Sequence, residues 1–187
     1  MKKIILIAAP ILLVVLITAA LIFKPWLAFI DKDVNDALPT IPSVSETDSG
    51  TSKETDSAME KQTEDQSNGP AVIAEGTFVT HAHDTTGMAR IVRLESGKHQ
   101  LVFENLDTTN GPDVHVWLSK ADVVTGSDGN QTAGNSPHLD VAPIKGNTGN
   151  HVYDLPADFN PSEWKSVDLW CDQFSVSFGA AQLTPLN

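Results

Sequence analysis

Cys171 is the only cysteine among 187 residues, so no intrachain disulfide can form. A lone thiol in an exported chain is a buried side chain, an intermolecular bridge, a nucleophile or a ligand. The neighbouring Asp168 and Asp172 would raise its pKa if close in space, which works against a bare thiolate. A bound metal would deprotonate it outright. His81 and His83 stand at i and i+2. On a strand they would share a face and could reach one metal ion, with Asp84 placed to orient a ring. His115 alternates with Val114, Val116 and Leu118, which puts its ring beside Trp117 and away from the apolar row. Each has a plainer reading: Cys171 as core, the His81/His83 pair as exposed polar residues at a strand end, and His115 as a half-buried ring bonded to a neighbouring strand.

His115, His83, Cys171 and Met88 are the side-chain types of a blue-copper centre. No histidine follows Cys171, where the usual copper fold takes its last ligands. Covalent c-type haem is excluded because C-x-x-C-H is absent. Haem held non-covalently by Cys171 or a histidine remains open. Without G-x-S-x-G, H-E-x-x-H or a glycine-rich phosphate loop, a stand-alone hydrolase has no support. Asp122, Asp128 and Asp140 could meet calcium, but EF-hand spacing is missing.

These residues lie in short alternating runs separated by turn residues, the pattern of an all-β antiparallel sandwich or barrel. Strands are expected at 76–81, 87–94, 99–103, 113–119, 138–144, 151–155, 166–171 and 174–183. Residues 95–98 read as a hairpin turn, 145–150 as a tight turn, and 120–137 as a long surface loop. Val167, Leu169 and Cys171 should share one face of their strand, and Asp168, Trp170 and Asp172 the other. Phe174, Val176, Phe178 and Ala180 read as the next core row.

The rest of the chain differs in kind. In residues 1–30, Met1-Lys2-Lys3 precedes a run of twenty uncharged residues, Ile4–Phe23. As a helix that run would span roughly 30 Å, enough for a bilayer core. The two lysines predict a cytoplasmic start, so the remainder would lie outside a cell membrane crossed once. Cleavage after Thr18-Ala19-Ala20 is the alternative, although apolar residues continue to Ile30. Residues 31–70 hold ten acids and three lysines and read as a disordered spacer of very roughly 35 Å. Residues 71–187 are left to form the domain. The net charge of −12 disfavours nucleic-acid binding.

Thr85-Thr86-Gly87-Met88-Ala89-Arg90-Ile91-Val92 is followed by Asn110-Gly111-Pro112-Asp113-Val114-His115-Val116-Trp117-Leu118-Ser119. Lys145-Gly146-Asn147-Thr148-Gly149-Asn150 and Tyr153-Asp154-Leu155-Pro156 come next. Val167-Asp168-Leu169-Trp170-Cys171 and Phe174-Ser175-Val176-Ser177-Phe178-Gly179-Ala180-Ala181 complete the series. In this order, from about Gly76 to Leu183, the motifs resemble the DM-thirteen domain family, often labelled an electron-transfer domain. The resemblance implies an extracellular all-β domain in which one cysteine, here Cys171, serves redox chemistry as a thiol or as ligand to a prosthetic group such as haem. It also implies a separate redox partner protein, because no DOMON-like domain accompanies this one. The competing function is a non-catalytic surface module that binds a ligand or protein and uses Cys171 only for packing.

Overall fold

The structure is a computed structural model that describes residues 13–22, 30–41 and 69–186. Residues 13–22 are helical. Among the described residues no helix is long and apolar enough to cross a membrane. The remainder of the Ile4–Phe23 run lies outside the described residues, as do residues 42–68 of the acidic segment.

Ten strands follow: β1 (Asp33–Asn35), β2 (Ala71–Thr80), β3 (Thr86–Arg93), β4 (His99–Asp107), β5 (Val114–Ser119), β6 (His138–Pro143), β7 (Thr148–Asp154), β8 (Ser166–Cys171), β9 (Val176–Gln182) and β10 (Thr184–Pro185). They form one sheet in the order β1-β7-β4-β3-β2-β9-β8-β5-β6, with β10 also paired to β2. Strand β2 joins the two halves. Its first part pairs with β3 as far as Thr77↔Met88, and its last part with β9 from Phe78↔Ala181. The sheet curls about this junction into a half-barrel. Ile91, Leu101, Phe103 and Tyr153 from one half then meet Val116, Leu118, Leu169 and Phe178 from the other in one core. Of the expected sandwich or barrel, the fold is nearer the barrel, a single curled sheet, because β2 is long enough to serve both halves.

Local sequence explains most elements. The 95–98 turn closes with Leu94 N–H donating to Lys98 O at 2.8 Å, and Gly97 supplies the left-handed φ of +79°. In β5 the alternation buries Val114, Val116 and Leu118 in the core, while Trp117 turns outward to stack on Trp170 at 4.9 Å. The 120–137 segment forms short 3-10 turns at Gly126–Gln131 and Ala133–Asn135. Ala133 joins the two tryptophans in a second buried cluster. Strand β8 is consequently buried at every residue.

Three expectations need correction. The acidic spacer does not begin as structureless chain, because β1 pairs with β7, and it does so in parallel, unlike the antiparallel pairs elsewhere. Polar groups dock it. The Asp36 carboxylate accepts from Lys145 Nζ at 2.6 Å and from Val152 N–H at 2.9 Å. Asn147 Oδ1 accepts from Lys32 N–H at 2.7 Å. Secondly, the row Phe174/Val176/Phe178/Ala180 does not hold. Asp168 pairs with Ala180 but Trp170 with Ser177, so β9 carries an extra residue, and a bulge of one residue flips the faces. The core side passes from Phe178 to Ala181 and Leu183, and Phe174 is 52% exposed. Thirdly, β4 continues past Phe103 through a register shift in its pairing with β7. Residues 148–150, expected in a turn, are therefore strand.

Candidate functional site

Cys171 ends β8 opposite Val114 of β5 and Val176 of β9. Its side chain belongs to the core and is 0% exposed. After it the chain turns sharply. Asp172 N–H donates to Asp113 O at 3.0 Å, and Ser175 adopts a φ of +52°. Backbone amides of Phe174 and Gln173 in this turn, and of Asp113 just before β5, lower the pKa of the thiol by hydrogen bonding. Burial pushes the thiol pKa up, and the three amides pull it back only in part. The resting sulfur is a protonated thiol with amide dipoles aimed at it, an arrangement that favours charge on sulfur once one develops.

On the outer side of the same strand ends, His115 sits between carboxylates. Its Nδ1 lies 2.9 Å from Asp140 Oδ2 and its Nε2 lies 3.4 Å from Asp113 Oδ1. Burial opposes a charged ring, but the Asp140 hydrogen bond and the charges of Asp140, Asp172 and Asp113 outweigh it, so the pKa is raised. Ligand atoms of Asp113, His115 and Asp172 all lie within 4.8 Å of one another. Among the described residues this is the one gathering of three or more His, Cys, Asp or Glu ligand atoms, and Cys171 is outside it.

The set suits a divalent cation that accepts oxygen and imidazole ligands. Nδ1–H donation to Asp140 would leave Nε2 free to bind, the usual outer support of a ligating histidine. Zinc titrated into the full chain should bind roughly 10- to 100-fold more weakly after Asp140→Asn. Calorimetry checks this, and equal affinity in the two chains would remove Asp140 from any such role.

His81 and His83 diverge. Strand β2 ends at Thr80, so strict alternation stops before them. The His83 ring packs on Phe178 with centroids 3.9 Å apart. His81 places Nδ1 2.7 Å from Ser177 Oγ and Nε2 2.9 Å from Val124 O, so both of its nitrogens are engaged. Met88 lines a surface groove with Glu75, Thr77 and Gln182. The four side chains of the copper set are thus distributed over the core, two separate surfaces and the face of Phe178. A haem does not fit at Cys171 either. Its sulfur is closed off in the core and faces amides, and none of four surface cavities has Cys171 in its wall.

Sequence reading missed Asp140 as the partner of His115. It also missed Asp168, which is 2% exposed beneath the 120–137 loop. An acid in the middle of an apolar strand was the available signal, but nothing local says what covers it.

No curated protein and no solved structure gives a significant match to the chain. Residues 77–183, which contain β3 to β9 and most of the core, match the family model described as electron transfer DM13. That match spans more than half of the chain, which therefore belongs to the electron transfer DM13 family.

Proposed function

We propose that this chain is a membrane-held, extracytoplasmic electron-transfer module whose reactive atom is Cys171 Sγ. Family membership supports a redox role in general. The assignment to Cys171 rests on its place as the one cysteine of the chain, buried at the end of β8, with the backbone amides of Phe174, Asp113 and Gln173 favouring charge on the sulfur against burial. A cysteine used for packing alone needs no such donors. Because burial raises the thiol pKa, oxidation of the sulfur must be coupled to loss of its proton. With one cysteine in the chain, any electron acceptor or second thiol belongs to a separate protein. The placement rests on Lys2, Lys3 and the uncharged run Ile4–Phe23.

The test uses the full chain from its host membranes, washed with carbonate, beside Cys171→Ser and Cys171→Ala. Retention through the wash is the outcome expected of an anchored chain, and release would remove the anchor. Native protein should show a redox wave by voltammetry, lost in both variants while circular dichroism is kept. Leaving a buried hydroxyl in the cradle should cost about 1–3 kcal/mol. A wave that survives in both variants would clear Cys171 of the role. If native protein shows no wave and its thiol stays unreactive, the closed packing of Cys171 favours the other reading, a surface-binding module with a structural cysteine.

A further inference from the structure

Asp168 lies on the outer face of β8, opposite Trp117 of β5 and Ala180 of β9. Among the described residues its Oδ1 has no hydrogen-bond partner, and the Ser177 side chain is close enough to lower its pKa by hydrogen bonding. Ser177 Oγ lies 2.7 Å from His81 Nδ1, and His81 Nε2 lies 2.9 Å from Val124 O. The donors follow from the chemistry. A carbonyl only accepts, so Nε2 carries a hydrogen. In a neutral ring Nδ1 then accepts the Ser177 hydroxyl proton. Ser177 has no second proton, so Asp168 must donate to it as a carboxylic acid. If His81 is instead charged, Nδ1 donates to Ser177 and Ser177 to a carboxylate. Either arrangement contains one proton shared along three residues.

The array is closed by the 120–137 loop. Gly129 packs so tightly on the His81 ring that an added Cβ would meet Nε2 at 2.5 Å. Ala133 covers Trp117 and Trp170. Val123 N–H donates to Gln182 Oε1 at 2.8 Å. A small cavity between loop and sheet, walled by His81, Asp122, Val124, Thr132, Ser166 and Asp168, has a volume of about 10 Å³, room for about one water.

We propose that the 120–137 loop is a lid latched by the proton shared along Asp168, Ser177 and His81, and that loss of this proton to bulk water admits solvent to Asp168 and releases the lid. Once it is lost, the single Ser177 hydrogen must serve both His81 and a buried carboxylate. Solvation of that carboxylate then favours the open loop. The surrounding charges offer little relief. On the loop side, Asp122 is bound to Lys165, and Asp128 is exposed. Towards β5 and β6, His115 is bound to Asp140 and His138 is stacked on Trp117. Beyond β9, the array ends in His81 itself.

Burial raises the Asp168 pKa to about 7, against a smaller lowering by Ser177. Burial also lowers that of His81, which favours the neutral ring. A raised folded value means the closed lid is fully favoured at low pH and is lost as pH rises through about 7. The inference does not depend on any role for Cys171.

Hydrogen exchange of residues 121–136 in the full chain, corrected for intrinsic rates, tests it. Between the ordinary carboxylate range and about pH 7, protection should fall by up to about tenfold per pH unit, as for release of one proton on opening, and it should level off above that. In Asp168→Asn, whose amide still donates to Ser177 but cannot ionise, protection should stay flat. An equal fall in Asp168→Asn, or none in the native chain, overturns the proposal. Should the variant fold poorly, the native chain decides. The infrared band of a buried carboxylic acid should vanish at the pH where lid protection levels off, and a separation of about one unit or more overturns it.

Discussion

Phe103→Ala is expected to lose about 3–5 kcal/mol of stability, the range for emptying a buried aromatic site. A domain of this kind has only about 5–15 kcal/mol in total. The side chain is 0% exposed. It meets Phe78 edge to face at 5.2 Å and Tyr153 at 5.5 Å. Phe103 thus ties β4 to the β2 junction at the place where the sheet curls. His151 also packs on it, at 5.9 Å. That ring is anchored by Tyr153 OH at 3.0 Å and Thr148 O at 3.1 Å, so the surroundings are held in place and cannot collapse into the void. Urea unfolding should show a lower midpoint with an unchanged slope. A loss below about 1 kcal/mol would mean that the two halves are held together elsewhere.

Gly76→Ala should be of similar severity, about 3 kcal/mol or more, for a different reason. Gly76 lies within β2, and an added Cβ would stand 2.0 Å from the Gln182 carbonyl oxygen and 2.8 Å from its carbon. Both are backbone atoms and cannot swing aside. The end of β9 would have to leave β2, next to the Phe78↔Ala181 pairing that joins the two halves. Gly97→Ala is the control. Its φ of +79° is unfavourable for alanine, but nothing lies within 4 Å of the added atom, so the cost should be about 1 kcal/mol. Thermal unfolding of the two variants side by side checks this. Equal, small shifts would show that the junction relaxes freely.

Both substitutions act at the meeting of the two halves, and that meeting was the least legible part of the fold. Strand β8 begins and ends where alternation and flanking turns place it, at Ser166–Cys171. The apolar row of β5 faces the core as expected. The ordered motifs were sufficient to identify the family. These properties are local, because a period of two records which side chains share a face of a strand.

That period does not record what lies against each face. The same reading that put Asp168 and Trp170 on the outer side of β8 could not supply the loop that buries them. His81 and His83 share a face only while a strand continues, and β2 stops at Thr80. Strand β1 docks through Asp36, Asn147 and Lys145 rather than an apolar face, so its sequence reads as solvated chain. The amide cradle of Cys171 and the Asp113–His115–Asp172 gathering draw on β5, β8 and the segments beside them, more than fifty residues apart in the chain. Residue types and spacing determined which groups were available for chemistry and which side of each strand they occupy. Tertiary structure decided which of them meet, because pairing across the sheet and coverage by a distant loop are long-range events that leave no periodic trace.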